Sequence, residues 1–114
     1  VFSLIINTNN ELISATSDRK IIIWNMTTGE SKIIISTGHT ADISKLVINR
    51  DNELISSSLD RTIKVWNMET WQEKYTLRDN SNNIFSLIVN NKNELISGGF
   101  REILIWKKEI KCFY

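Results

Sequence analysis

The sequence predicts an all-β fold of three four-stranded antiparallel sheets laid side by side, and three observations carry that prediction. First, one phrase recurs: Glu11-Leu12-Ile13-Ser14 before Trp24, Glu53-Leu54-Ile55-Ser56 before Trp66, and Glu94-Leu95-Ile96-Ser97 before Trp106. The tryptophans lie 42 and 40 residues apart. A fixed period in this range marks a stacked or radial repeat architecture. Second, each repeat divides into four short runs rich in Ile, Val and Trp, separated by polar turns, which is the pattern of strands. The runs are too short for helices. Third, runs such as Ile21-Ile22-Ile23-Trp24 are apolar on both faces. Continuous apolar strands belong to a sheet covered on both sides, whereas strict alternation would leave one face wet.

In chain order, the first repeat predicts strands at Val1–Ile6, Glu11–Thr16, Lys20–Asn25 and Ser31–Ser36. The second predicts Ile43–Ile48, Glu53–Ser58, Thr62–Asn67 and Gln72–Leu77. The third predicts Ile84–Val89, Glu94–Gly99, Glu102–Lys107 and Glu109–Phe113. The repeats occupy approximately residues 1–42, 43–83 and 84–114 of a single segment without linkers. Asn10, Asn52 and Asn93 each stand just before the recurring Glu. Asn tolerates a left-handed backbone, so it suits the first turn of each repeat. A four-stranded sheet covered on both faces and repeated is the blade of a β-propeller.

Composition narrows the function. Hydrophobic residues make up 41% and charged residues 24% of 114, ordinary values for a folded domain. Fourteen basic and thirteen acidic residues give a net charge of +1. With no basic stripe, nucleic acid is not an expected partner. No apolar run is long enough for a membrane span. The one cysteine, Cys112, cannot form an internal disulfide, which fits a reducing compartment. One His and one Cys are too few to build a zinc site. Gly98-Gly99 lacks a phosphate-loop context, so no cofactor is expected. The chain opens at Val1 inside an apolar run, which suggests a piece of something longer.

The second repeat carries a more specific pattern: Gly38-His39, then Ser56, Asp60 and Trp66, followed by Asn67. On these residues the whole chain resembles the WD-repeat β-propeller family, with Asn67 standing where the second letter of the Trp-Asp pair is usual. The resemblance implies a structural tetrad in which the Trp66 indole donates to Ser56, Ser56 reaches His39, and Asp60 holds His39. The first repeat keeps Ser14, Asp18 and Trp24. The third keeps Ser97 and Trp106, has Asn80 in the place of His, and lacks the Asp. The resemblance further implies a non-catalytic scaffold in the cytoplasm or nucleus whose rims dock peptides or protein partners. The alternative is purely structural blades, with the binding surface elsewhere.

His39, Ser56 and Asp60 are also the ingredients of a nucleophilic triad, but no strained nucleophile elbow surrounds Ser56. Arg19, Arg61 and Arg101 fall at matching places after the second strand of each repeat. Together they would suit acidic or phosphorylated peptides; singly, Arg19 and Arg61 simply neighbour Asp18 and Asp60. Trp71 aligns with Gly29, where a small residue is expected. It is either an exposed partner anchor or a lid folded over the blade edge. Propellers typically need four to eight blades. Three would leave two apolar faces bare, so further blades or a second copy are expected to cover them.

Overall fold

The computed structural model describes residues 3–78, 84–99 and 103–106. It contains β1 (Ser3–Ile6), β2 (Leu12–Ala15), β3 (Lys20–Trp24), β4 (Ser31–Ser36), β5 (Ile43–Ile48), β6 (Glu53–Ser58), β7 (Ile63–Asn67), β8 (Glu73–Leu77), β9 (Ile84–Val89), β10 (Leu95–Gly99) and β11 (Ile103–Trp106). They form three antiparallel sheets in plain meander order: β1-β2-β3-β4, β5-β6-β7-β8 and β9-β10-β11. We call these blades 1, 2 and 3. The twelfth expected strand, Glu109–Phe113, lies outside the described residues.

The inner strands of blade 2 present apolar residues on both faces, and each face meets a different neighbouring blade. One core joins blades 1 and 2: Ile13, Ala15, Ile21 and Ile23 pack with Ile43, Leu46, Leu54 and Trp66. A second joins blades 2 and 3: Ile55, Ile63 and Val65 pack with Leu87, Leu95, Leu104 and Trp106. The inner strands β1, β5 and β9 lie beside one another across these boundaries. The core therefore sits between blades, which is why the strands read as continuous apolar runs.

The three turns that enter the second strand of each blade are built identically. Asn10, Asn52 and Asn93 all adopt φ 61, the left-handed conformation that Asn accepts at modest cost. Three residues earlier stand Asn7, Asn49 and Asn90. The Oδ1 of each accepts the N–H groups two and four residues on: Asn9 and Glu11, Asp51 and Glu53, Lys92 and Glu94. The Nδ2 of each donates to the carboxylate of that same Glu. The Glu then reaches a lysine on the blade's outer strand, Glu11 to Lys32 at 2.6 Å and Glu53 to Lys74.

Strand order fixes the two rims. The turns around Asn7–Glu11 and Asn49–Glu53, with the β3–β4 and β7–β8 turns, lie on one rim. The β2–β3 and β6–β7 turns, with the loop Thr37–Asp42, lie on the other.

Candidate functional site

The loop Thr37–Asp42 has no regular secondary structure, yet it is fixed along its length. Gly38 turns the chain at φ 79. Thr37 Oγ1 donates to the Arg19 carbonyl at 2.7 Å. Ser58 Oγ donates to the Ala41 carbonyl, and the Leu59 N–H to the Asp42 carbonyl. His39 plugs into the blade between these anchors.

His39, Ser56, Asp60 and Trp66 form one hydrogen-bonded chain. Trp66 Nε1–H donates to Ser56 Oγ at 3.0 Å. Ser56 Oγ lies 2.9 Å from His39 Nε2, and His39 Nδ1 lies 3.0 Å from Asp60 Oδ2. The proton positions follow from the ends. An indole only donates and a carboxylate only accepts. Ser56 therefore accepts from Trp66 and donates to Nε2, and the imidazole is neutral with its proton on Nδ1. Asp60 also accepts the N–H groups of Thr40 and Thr62 and the Thr62 hydroxyl.

The titration shifts agree with that assignment. Burial pushes the His39 pKa below its ordinary value, more than the neighbouring Asp60 charge raises it. For Asp60, burial alone would raise the carboxyl. Hydrogen bonds from Thr62, the Thr40 N–H and His39 outweigh it and hold the group below the usual carboxylate range.

Ser56, His39 and Asp60 are joined in the order of a nucleophilic triad, but access is closed. Ser56 is 0% exposed, and the Trp66 indole already donates to its oxygen. A nucleophile must meet a substrate carbonyl beside an oxyanion hole, and no opening leads to this hydroxyl.

Among the described residues, blades 1 and 3 share the last link with blade 2. Trp24 Nε1–H donates to Ser14 Oγ at 2.9 Å and Trp106 Nε1–H to Ser97 Oγ at 3.1 Å. Asp18 is exposed and pairs locally with Thr16 and Lys20.

Arg19 and Arg61 occupy equivalent left-handed positions, φ 66 and φ 71. Arg19 Nη1 donates to the Thr40 carbonyl at 3.3 Å, tying blade 1 to the loop that enters blade 2. Arg101 lies outside the described residues. A polar cavity of about 120 Å³ opens beside the loop, lined by Gly38, Thr40, Asp60, Thr62, Lys64 and Arg78. Lys64 is itself buried and holds Glu73 at 3.0 Å and Thr76 at 3.1 Å.

Trp71 sits on the opposite rim. Its backbone is left-handed at φ 58, matching Gly29 at φ 78, and its N–H closes the turn onto the Asn67 carbonyl as Gly29 does onto Asn25. The indole is half-buried and packs against the core between blades 1 and 2.

The family resemblance implied the tetrad, but not the groups that surround it. Thr62, the Lys64–Glu73 pair and the Asn7, Asn49 and Asn90 staples were not singled out. The staples were visible as the spacing Asn-x-x-Asn-Glu, present three times.

The fold and the buried tetrad define a set of propeller blades. Residues 30–67, which span the end of blade 1 and most of blade 2, match the family model described as "WD domain, G-beta repeat". Among solved structures, the crystal structure of the RRP9 WD40 repeats is 21% identical and superposes with a TM-score of 0.86. The structure of U3-55K is 20% identical, also with a TM-score of 0.86. Each match covers 99% of this chain and 37% of the other. At this identity the likeness concerns the fold, and the chain spans little more than a third of those structures. No curated protein sequence matches the chain.

Proposed function

We propose that the chain is a non-catalytic scaffold of an intracellular assembly, whose loop-bearing rim docks a peptide or protein partner. WD-repeat propellers generally serve as protein-interaction scaffolds, and the closed access to Ser56 fits that role. The observation that carries the reading is the rigidity of Thr37–Asp42: an irregular loop is held by side chains at both ends and in the middle. A rim fixed before binding loses little conformational freedom on association. The cavity bounded by Thr40, Lys64 and Arg78 offers donors to a polar side chain of the partner, beside the acceptor Asp60.

Arg19, Arg61 and Arg101 are the residues we assign to an acidic or phosphorylated partner. The test is peptide-array binding before and after reversing all three to Glu. Loss of acidic-peptide binding with an unchanged melting temperature is the expected result; unchanged binding would remove the arginines from the site. Trp71→Ala is the companion test on the other rim.

A second reading, structural blades only, is favoured by one observation: Arg19 is already engaged with Thr40. Under it, the Arg19→Glu change lowers stability and leaves every peptide interaction as it was.

A further inference from the structure

Blade 2 leaves one group of hydrogen-bond donors unspent, around the polar cavity beside Gly38. The charged residues of its lining are Asp60, Lys64 and Arg78. Asp60 has no acceptor capacity to spare. A carboxylate has about four lone-pair sites. Here Oδ1 takes the Thr62 N–H at 2.9 Å and the Thr62 hydroxyl at 2.5 Å. Oδ2 takes the Thr40 N–H at 2.9 Å and His39 Nδ1 at 3.0 Å. Lys64 is the reverse case. It is 8% exposed, and its ammonium has three N–H donors. Glu73 Oε1 takes one at 3.0 Å and Thr76 Oγ1 another at 3.1 Å. The third has no acceptor among the described residues. A Cβ on Gly38 would stand 3.9 Å from Lys64 Nζ, so the ammonium borders the bare side of that glycine. The Thr40 hydroxyl and the Arg78 guanidinium, both on exposed residues, are also without a partner among the described residues.

The blade does not need these cations in order to fold. Lys64 pairs with Ser56 across the β6–β7 ladder. At the same register Ile22 pairs with Ser14 in blade 1, and Leu104 with Ser97 in blade 3. Arg78 follows Leu77, the partner of Ile63; Ser36 follows Ile35, the partner of Ile21. Blade 1 therefore builds the same sheet with neither cation. A buried charge is costly unless it is paired and hydrogen-bonded. An anion in the cavity would complete the bonding of the lysine.

We propose that this cavity is a carboxylate subsite, taking the Asp or Glu side chain of the peptide that docks on this rim. Its peptide source rests on the docking proposed above; its chemistry rests on the cavity alone. The third Lys64 N–H, the Thr40 hydroxyl and the Arg78 guanidinium supply the donors, and the saturated Asp60 does not compete for them. A guanidinium can grip a carboxylate through two parallel bonds. The cavity of about 120 Å³ has room for several water molecules, and so for the carboxylate end of a side chain. Charge selects a carboxylate over a phosphoryl group. Lys64 and Arg78 against Asp60 leave the lining with one positive charge, since His39 is neutral. A carboxylate balances it, whereas a phosphoryl group brings about −1.5 to −2.

The test is a titration of the full chain with sodium acetate at constant ionic strength, followed through the backbone amide resonances of Gly38, Thr40 and Thr62. Saturable shifts that sodium chloride does not produce are the expected result. Replacing Lys64 would strand Glu73, so the variant is Arg78→Gln, at an exposed position. It should keep the melting temperature and weaken acetate by roughly ten-fold, the worth of one charge-assisted bond. Shifts that never saturate, or a saturation indifferent to Arg78→Gln, would overturn the proposal. Saturation by phosphate at a lower concentration than acetate would overturn it too, and make the site one for phosphoryl groups. Peptides selected from a random library on the chain then decide the source. They should carry an Asp or Glu, compete with acetate, and lose roughly ten-fold in affinity when that acid is exchanged for its amide. Peptides that bind without these properties would overturn the subsite and leave the docking on this rim in place. Acetate binding with no peptide selected would overturn the docked peptide as the source, and the docking with it, while the carboxylate chemistry of the cavity stood.

Discussion

The two rims of the molecule repeat to different degrees. On the Asn rim, three turns share the same left-handed Asn, the same Asx staple and the same Glu, bond for bond. On the other rim, the β2–β3 and β6–β7 turns share a left-handed Arg. The clasp of His39, Asp60 and Thr62 appears in blade 2 alone among the described residues. The difference separates two tasks. The Asn rim sets the spacing from blade to blade, because its turns also bond across the boundaries. Every blade needs the same spacing, so every blade carries the same turn. The other rim is held by a device specific to one loop and is free to differ from blade to blade.

The largest expected effect comes from the device in blade 2. Trp66→Ala removes a buried aromatic and the donor to Ser56, and is expected to cost about 3–5 kcal/mol, read from urea denaturation. Trp24→Ala removes the same kind of bond from a half-buried residue, and should cost clearly less. Equal losses would mean that burial between blades does not distinguish them.

Next in size is the repeated staple. Asn49→Ala strands the N–H groups of Asp51 and Glu53 in a partly buried turn, an expected loss of about 1–3 kcal/mol. Asn7→Ala and Asn90→Ala should lose similar amounts, since the bonds are the same. A large spread among the three in thermal melts would break the equivalence of the turns.

A smaller effect is the pH dependence of the clasp. His39 is the only histidine in the sequence. Its folded pKa is depressed, chiefly by burial, so the unfolded chain takes up the proton first. Stability should therefore fall as pH drops through the ordinary imidazole value of about 6.5 toward the depressed folded value. Asp60 acts at lower pH. Its depressed carboxyl contributes stability above the ordinary carboxylate value of about 4, and that contribution is lost as pH falls through the folded pKa. The slope of melting temperature between pH about 7 and 5 should flatten in His39→Gln. An unchanged slope would show that the imidazole is not held neutral.

Much of this was legible in the sequence because the repeat aligns chemically equivalent residues. The strands Ser31–Ser36, Ile43–Ile48, Glu53–Ser58 and Ile84–Val89 were placed residue for residue. Elsewhere the expected strands ran a residue or two long, as at Glu11–Thr16 against Leu12–Ala15, since polar end residues pair into turns instead. The tetrad was legible through the family resemblance of Gly38-His39, Ser56, Asp60 and Trp66, and its bonds are sensible because each of these groups needs a partner when buried. The engagement of Arg19 was not, because its acceptor is a backbone carbonyl of the neighbouring blade, which no side-chain spacing encodes. The same holds for the buried Lys64: its partners Glu73 and Thr76 are set by strand register rather than by a motif.

The smallest effect sharpens the comparison within the Asn rim itself. Gly29 and Trp71 close equivalent turns with the same backbone bond and the same left-handed φ. A bulky residue in this conformation is disfavoured relative to glycine by roughly 1–2 kcal/mol. In blade 2 that penalty is offset by packing the indole on the interblade core. Trp71→Ala should lose the packing and keep the penalty, whereas Trp71→Gly should lose the packing and relieve the backbone. Gly should therefore be the more stable of the two by about 1 kcal/mol, despite its larger unfolded-state entropy. The order of the two variants in urea midpoints checks this. Ala above Gly would mean that the turn is not held left-handed, and that the equivalence of Gly29 and Trp71 ends at their alignment.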